Sequence, residues 1–174
     1  MQSAVKSISQ EKSMEDIAQS NLKTSQVIVF KLGNEEYGLM IDQIKEVVIT
    51  PNITKVPLAP RYIKGVANIR GNILSIIDPE ERLGLALEKD TANTSIQNYT
   101  LVVESNEVKM GILVREVPNT LAISEKDIDN TPNIIQGTSI DSGYILGIVK
   151  KQNRLIILID IYRLIKKEEV STLM

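Results

Sequence analysis

Short runs of apolar residues, separated by glycine or asparagine turn signals, follow one another along the chain from about residue 26. The run 26–32 is followed by Gly33-Asn34 and by a second run, 35–41. Gly-Asn between two apolar runs is typical of a β-hairpin. The pattern returns in the second half, where "YTLVVES" precedes "EVKMGILV". These runs predict strands, and the glycine inside the second run of each pair predicts a bulge or a bend.

One segment, which we call the ribbon, occurs twice in the sequence. The segment "YIKGVANIRGNILSIID" at 62–78 is matched 82 residues later by "YILGIVKKQNRLIILID" at 144–160. Each copy predicts two strands and a tight turn, placed in the first copy at Gly71-Asn72. The block "LIILI" is apolar throughout, which indicates a strand covered on both faces. Two matched halves of about five strands predict an all-β protein of two barrels, the first over about 25–87 and the second over about 98–160.

In the segment "DQIKEVV" the apolar residues are spaced as in a helix rather than as in a strand. Asp42 is a plausible N-cap, and Ile44, Val47 and Val48 would share one face of a helix, with Glu46 pointing elsewhere. The apolar side chains of Val47, Val48 and Ile49 are expected to belong to the core rather than to a contact surface. The segment therefore predicts a short amphipathic helix.

Both ribbons end in an aspartate that precedes a helix-forming segment. Asp78 and Asp160 are interpreted as N-caps, and the second helix is predicted over about 160–170. Residues 1–24 are polar and predict a flexible tail in front of a domain that spans 25–166.

The amino-acid composition excludes several classes of function. The chain has one Phe and no Trp, so the core is expected to be aliphatic. The net charge of -2, with acids and bases intermixed, lacks the basic stripe of a nucleic-acid interface. The sequence has no His and no Cys, which excludes Ser–His and Cys–His nucleophilic pairs and ordinary zinc sites. No glycine-rich phosphate loop follows a strand. We expect no catalytic residue, cofactor or metal, and therefore no enzyme.

The N-terminus lacks the apolar stretch of a signal peptide, and the longest apolar runs are too short and too interrupted to span a bilayer. We therefore expect a cytoplasmic protein without direct membrane insertion.

The two ribbons differ at the turn. Where the second copy has Gln152-Asn153, the first has Arg70-Gly71. A hairpin does not require an arginine, and its planar guanidinium suits recognition of a partner. Arg70 is therefore either a solvated turn residue or a partner contact. The same two interpretations apply to Glu46.

At "NIRGNILSIID" the sequence resembles the CheW family of chemotaxis coupling proteins. The resemblance extends over about residues 26–166 and includes "VIVFKLGNEEYGLMIDQIKEVV", "VPLAPRYIKGVANIRG" and "GYILGIVKKQNRLIILIDIYRLI". Two positions depart from the family pattern: Ser75 stands where proline is usual, and Pro79 where leucine is usual. Both departures concern local geometry more than function.

The resemblance implies two intertwined five-stranded SH3-like barrels with short helices and no catalytic activity. It implies an adaptor that joins the regulatory domain of a CheA-type histidine kinase to the cytoplasmic tips of methyl-accepting chemoreceptors, at arrays beside the membrane and with weak self-association. Carried over by motif, the contact candidates are Ile44, Glu46, Gly65 and Arg70. For Gly65 a role in backbone shape alone is the alternative to a contact, since Gly147 repeats it. The kinase would meet barrel-end loops, mostly of the second half.

Two other classes of function remain open at this stage. A peptide- or polysaccharide-binding β-module unrelated to a kinase would fit an SH3-like barrel, although such grooves usually use aromatic side chains. A hydrolase that uses the carboxylates of Asp78 and Asp160 is a weaker alternative.

Overall fold

The computed structural model describes residues 23–85, 97–130 and 142–165, and these residues form an all-β protein with short helices. The strands are β1 (Thr24–Leu32), β2 (Glu35–Met40), β3 (Ile44–Ile49), β4 (Ile63–Ile69), β5 (Asn72–Ile77), β6 (Tyr99–Glu104), β7 (Lys109–Val114), β8 (Asn119–Ser124), β9 (Ile128–Asp129), β10 (Ile145–Lys151) and β11 (Arg154–Ile159). The helices are α1 (Pro79–Leu83) and α2 (Ile161–Leu164), with 3₁₀ turns at Ile41–Gln43, Glu125–Asp127 and Ser142–Tyr144.

The strands form two sheets, each curled into an SH3-like barrel, as predicted. One sheet has the order β3-β6-β7-β5-β4, and the other has the order β8-β1-β2-β11-β10-β9. The second sheet has six strands because it includes the two-residue strand β9. Its edge strands, β8 and β9, are consecutive in the chain. In each sheet one parallel pair joins strands from different halves of the sequence: β5 with β7, and β11 with β2.

The sheets do not follow the predicted division into a first barrel over 25–87 and a second over 98–160. The β1–β2 hairpin lies in the six-stranded sheet with β8 to β11, and the β6–β7 hairpin lies in the five-stranded sheet with β3 to β5. The two halves thus exchange their first hairpins. An apolar pattern identifies strands but does not say which strands pair, so the exchange could not be read from the duplication.

Glycines allow the parallel strands to approach closely. Gly38 of β2 lies opposite Leu158 of β11, and Gly111 of β7 lies opposite Ile76 of β5. A Cβ atom at position 111 would lie 2.6 Å from the Thr100 Cγ2 atom and 2.7 Å from the Ile76 Cδ1 atom. At position 38 the atom nearest to an added Cβ would be the Ile156 Cγ2 atom at 3.1 Å, so crowding is milder there. Glycine at both positions spares the neighbouring side chains a shift where the exchanged hairpins join the sheets.

The segment "DQIKEVV" is not a helix, and Asp42 is not its cap. Ile41–Gln43 is a 3₁₀ turn, and the residues after it form β3, which pairs with β6. A run of β-branched residues favours a strand over a helix. Along β3 the exposure alternates, so Val47 is 42% and Ile49 58% exposed, while Val48 packs against a buried cluster. The expectation that these side chains belong to the core is wrong for Val47 and Ile49.

The tight turn of the first ribbon lies one residue earlier than predicted. Ile69 pairs with Asn72, so Arg70 and Gly71 are the two turn residues, with φ angles of 51° and 83°. In the second copy the turn residues Gln152 and Asn153 have φ angles of 52° and 58°. Positive φ at both positions is the signature of a type I′ turn, which matches the twist of the flanking strands.

The largest buried cluster joins both halves of the chain. It includes Phe30 of β1, Ile77 of β5, Leu101 of β6 and Ile161 of α2. The core is mainly aliphatic, as predicted. Among the described residues, no helix is long and apolar enough to cross a membrane.

Both predicted N-caps are confirmed. The side chain of Asp78 accepts hydrogen bonds from the first backbone N–H groups of α1, and Asp160 does the same for α2. The part of the helix predicted beyond residue 165, and residues 1–22 of the predicted tail 1–24, lie outside the described residues, whereas Thr24 already belongs to β1.

Candidate functional site

The four candidate residues all lie on strands or turns of the five-stranded barrel. Ile44 and Glu46 belong to β3, Gly65 to β4, and Arg70 to the turn between β4 and β5. β3 and β4 are the two edges of this sheet. We call the line along which these edges meet the seam. Duplication and motif alone did not reveal that the four residues surround one structural feature.

The seam is closed by a backbone crossing beside Gly65. Thr54, which follows β3, and Val66 of β4 exchange two N–H···O hydrogen bonds of 2.8 Å each. Gly65 has a φ of 142°, and a Cβ atom there would lie 2.1 Å from the Thr54 carbonyl oxygen. Only glycine fits this crossing. Gly65 therefore shapes the backbone, as does Gly147, beside which the β10–β11 pairing shifts register in the same way.

Glu46 and Arg70 form an ion pair across the seam, 24 residues apart in sequence. The Arg70 Nε atom donates to the Glu46 Oε2 atom at 2.5 Å. The Arg70 side chain is 75% exposed, whereas that of Glu46 is 21% exposed. The turn between β4 and β5 is held in place by a side chain of β4, because the Gly71 N–H donates to the Asn68 Oδ1 atom at 2.9 Å. A half-buried carboxylate thus holds an exposed guanidinium at the end of a rigid hairpin.

The pair leaves most of the guanidinium available. Within the described residues only the Arg70 Nε atom donates to a protein acceptor, so the two Nη groups remain for a partner. Arginine used in this way can form two parallel hydrogen bonds to a carboxylate. The arrangement can bind an acidic or carbonyl-bearing surface, but it has no acid–base or nucleophilic chemistry.

Ile44 has a different environment. It is half-buried and packs against the largest core cluster. Between it and Glu46 the β3–β6 pairing shifts by one residue at Lys45, whose side chain lies 2.8 Å from Glu104. The hydrogen bond with Glu104 raises the pKa of Lys45 and lowers that of Glu104. Ile44 thus supports β3, and a charged pair flanks it on the outer side.

Three exposed apolar residues on the strands of the site were not predicted from the sequence. Val47 and Ile49 are exposed next to Glu46 on β3, and Ile73 follows Arg70 on β5 with 59% exposure. The missed signal was the alternation along 44–49, which fits a strand as well as a helix. Because side chains alternate along a strand, Val47 and Ile49 lie on the face of β3 opposite to Glu46.

The symmetric aspartates are occupied by structural contacts. Asp78 is buried, caps α1, and lies 3.1 Å from the Arg115 Nη2 atom and 3.4 Å from the Lys64 Nζ atom. Burial works to lower the pKa of Arg115, but its hydrogen bond with Glu80 and the charge of Asp78 outweigh burial and raise it. Within the described ranges, no group of three or more His, Cys, Asp or Glu side chains could hold a metal ion. The carboxylates serve the fold.

Comparisons with known proteins show which family the chain resembles in sequence and fold. The profile of the CheW-like domain family matches residues 26–169. The chain is 31% identical over 150 residues to chemotaxis protein CheW of Helicobacter pylori, covering 86% of this chain and 87% of that protein. It is also 31% identical over 150 residues to chemotaxis protein CheW of Bacillus subtilis, covering 86% and 92%. The crystal structure of scaffolding protein TtCheW from Thermoanaerobacter tengcongensis superposes with a TM-score of 0.68 at 32% identity, covering 83% of this chain and 89% of that one.

Proposed function

Because the chain belongs to the CheW family, we propose that it is a non-enzymatic adaptor that couples the cytoplasmic tips of chemoreceptors to a CheA-type histidine kinase. The similarity to proteins named chemotaxis protein CheW and to a scaffolding protein supports this role. The adaptor would work in the cytoplasm at receptor arrays, with weak self-association.

The Glu46–Arg70 pair carries the proposal. It presents a preorganised, exposed cation on a barrel held by a mainly aliphatic core. A receptor tip is a helical bundle, and a helix with acidic positions would complement this charge. The pair gives the surface a fixed charge without giving it any catalytic group.

The coupling needs no chemistry in this chain. An adaptor transmits a signal when its contacts with each partner differ between the states of the assembly, so that binding of one partner shifts the population of the other. Two barrels that share one core form a rigid body with separate faces. Weak contacts repeated through an array would then act together.

The test is the effect of Arg70→Ala on partner binding. A charged hydrogen bond at an interface contributes about 1.5–3 kcal/mol, which corresponds to roughly ten- to hundred-fold in affinity. The exposed ion pair with Glu46 contributes only about 0–1 kcal/mol to folding. We therefore expect nearly unchanged thermal unfolding and at least about ten-fold weaker binding to a receptor-tip fragment in a calorimetric titration.

Gln152→Ala is the matched control, because Gln152 occupies the same turn position in the second copy and has the same positive φ. This variant should bind and unfold like the wild-type protein. If Arg70→Ala binds both the receptor fragment and the kinase regulatory domain normally, Arg70 is a solvated turn residue and the proposed contact is wrong.

A further inference from the structure

A fully exposed leucine lies in an unfavourable backbone conformation between β3 and β4. Leu58 has a relative exposure of 105%, and its φ is 61°. Pro57 precedes it, and a proline followed by a residue with positive φ is the arrangement of a type II turn, which normally takes glycine or asparagine at that position. A bulky residue there is a genuine outlier. The turn chemistry alone does not account for leucine.

The described part of the chain gains nothing from the Leu58 side chain. It belongs to none of the buried clusters, whereas its neighbour Ala59 packs against the largest one. Pro57 and Pro60 on either side limit the freedom of the loop. A strained, rigid and fully exposed residue points to a use outside the fold.

The loop also carries unpaired positive charge. Lys55 and Arg61 are exposed on either side of Leu58, and within the described residues neither takes part in an ion pair. The sequence from 47 to 77 contains four basic residues and no acidic residue, although the whole chain has a net charge of -2. The other two bases, Lys64 and Arg70, are held by carboxylates. Cations are thus concentrated around the exposed leucine.

We propose that the loop 55–61 is a docking element for a protein surface with an apolar socket rimmed by carboxylates, and that Leu58 fills the socket. The identity of the partner rests on the proposed adaptor function: it is the regulatory domain of the histidine kinase, which would then meet this loop of the first half in addition to the second-half loops that the resemblance implies. Charge complementarity with Lys55 and Arg61 selects the acidic rim, and the apolar side chain requires the socket.

The position of the loop supports a partner different from the receptor. Leu58 precedes β4 and Arg70 follows it, and β4 has seven residues. At about 3.3 Å per residue, roughly 20 Å separate the two ends of the strand. One surface can therefore be occupied while the other remains free, as an adaptor requires.

An anionic membrane would also attract a leucine between two cations, but the observations favour a protein. One leucine and two bases provide less apolar area than a single acyl chain, which by itself gives only marginal membrane binding. A rigid loop fixed by two prolines suits a shaped socket better than a fluid surface.

Two substitutions of Leu58 distinguish its effect on partner binding from the backbone strain at this position. Leu58→Ala removes the apolar side chain but keeps an unfavourable residue at positive φ, whereas Leu58→Asn removes the side chain and also suits the turn. We expect both variants to bind the purified kinase regulatory domain about ten-fold more weakly in a titration. Only Leu58→Asn should raise the melting temperature, by about 2–4 °C. Binding of the receptor-tip fragment should be unchanged.

Leu155→Ala is the control for loss of any exposed leucine, since Leu155 is 63% exposed on β11 in a paired strand. It should bind the kinase domain normally. If the wild-type protein binds the kinase domain and both Leu58 variants bind it equally well, the docking proposal is overturned and the adaptor function stands.

Three further outcomes would also overturn the proposal. Wild-type protein that binds neither the kinase domain nor the receptor fragment would remove the adaptor function together with it. Sedimentation with phosphatidylserine vesicles that depends on Leu58, without any effect on kinase binding, would assign the loop to membranes. Self-association that depends on Leu58, again without an effect on kinase binding, would assign it to a second copy of the chain.

Discussion

Four residues other than glycine have positive φ among the described residues, and they are of two kinds. Arg70, Gln152 and Asn153 occupy two-residue hairpin turns, where the twist of the strands demands this conformation. Leu58 is the fourth and lies in a loop without a flanking hairpin. At Arg70 the unfavourable backbone places a guanidinium at a tip, where it is held by Glu46. Both unusual positions of the first half therefore present a large side chain to solvent.

At the same scale, we expect Gly65→Ala to be severely destabilising. The added Cβ atom would lie 2.1 Å from the Thr54 carbonyl oxygen, and the φ of 142° is unfavourable for alanine. Because the obstacle is backbone, relief requires opening of the seam. We expect a loss of about 3 kcal/mol or more in the free energy of unfolding, measured by urea denaturation.

Gly71→Asn is the matched control. Its φ of 83° is also positive, but a Cβ atom there would have no neighbour within 4 Å, and asparagine suits a type I′ turn. It should change the free energy of unfolding by no more than about 1 kcal/mol. Equal losses for the two variants would mean that positive φ, rather than the crossing with Thr54, sets the requirement for glycine.

At the scale of elements, sequence patterns predicted the hairpins and both helix caps but mistook β3 for a helix. The segment 44–49 is short, and its apolar residues fit a helix face as well as an alternating strand. What distinguishes the two is the partner strand β6, whose paired residues lie 50 to 59 positions away in sequence. The seam was unpredictable for the same reason, because Glu46 and Arg70 meet only when the barrel closes. Contacts within a ribbon are local in sequence, whereas the pairing of strands from distant parts of the chain depends on the tertiary structure.

Asp78 and Asp160 occupy equivalent positions in the two ribbons, but we expect them to contribute differently to the free energy of unfolding. The Asp78 side chain is 2% exposed and also pairs with Arg115 and Lys64. The Asp160 side chain is 21% exposed and pairs with Arg163, which is 66% exposed. We expect Asp78→Ala to cost about 2–3 kcal/mol, because α1 loses its cap and two charged contacts are lost, although Arg115 and Lys64 keep Glu80 and Glu81 as partners. Asp160→Ala should cost about 1 kcal/mol, as for an ordinary cap.

Thermal and urea unfolding of both variants measure this difference. Asp78→Asn adds a useful comparison, since it keeps a side-chain oxygen for the cap but removes the charge. It should lie between the wild-type protein and Asp78→Ala. Similar losses for Asp78→Ala and Asp160→Ala would show that the ion pairs with Arg115 and Lys64 contribute little beyond capping.

At the scale of the whole molecule, the two halves are related by an approximate twofold axis and exchange their first hairpins. The Arg82 Nε atom donates to the Leu164 carbonyl oxygen at 3.0 Å, and these positions are 82 residues apart, which is the spacing of the repeated ribbon. Equivalent positions can touch only near such an axis. Arg154 of β11 also holds Glu36 of β2 through two hydrogen bonds of 3.0 Å and 2.6 Å. The halves are thus joined both inside the six-stranded barrel, through Arg154 and Glu36, and between the two short helical segments, through Arg82 and Leu164.

This exchange leads to a prediction about the separated halves, 1–90 and 91–174. Each half would lack the hairpin that completes its sheet, so β5 would lose β7 and β11 would lose β2. Exposed edges and a divided core leave too little buried apolar area to offset the conformational entropy of folding. We expect no cooperative thermal unfolding by circular dichroism for either half expressed alone, and a stable one-to-one complex when both are coexpressed. A half that melts cooperatively as a monomer would mean that the exchange is not required for folding.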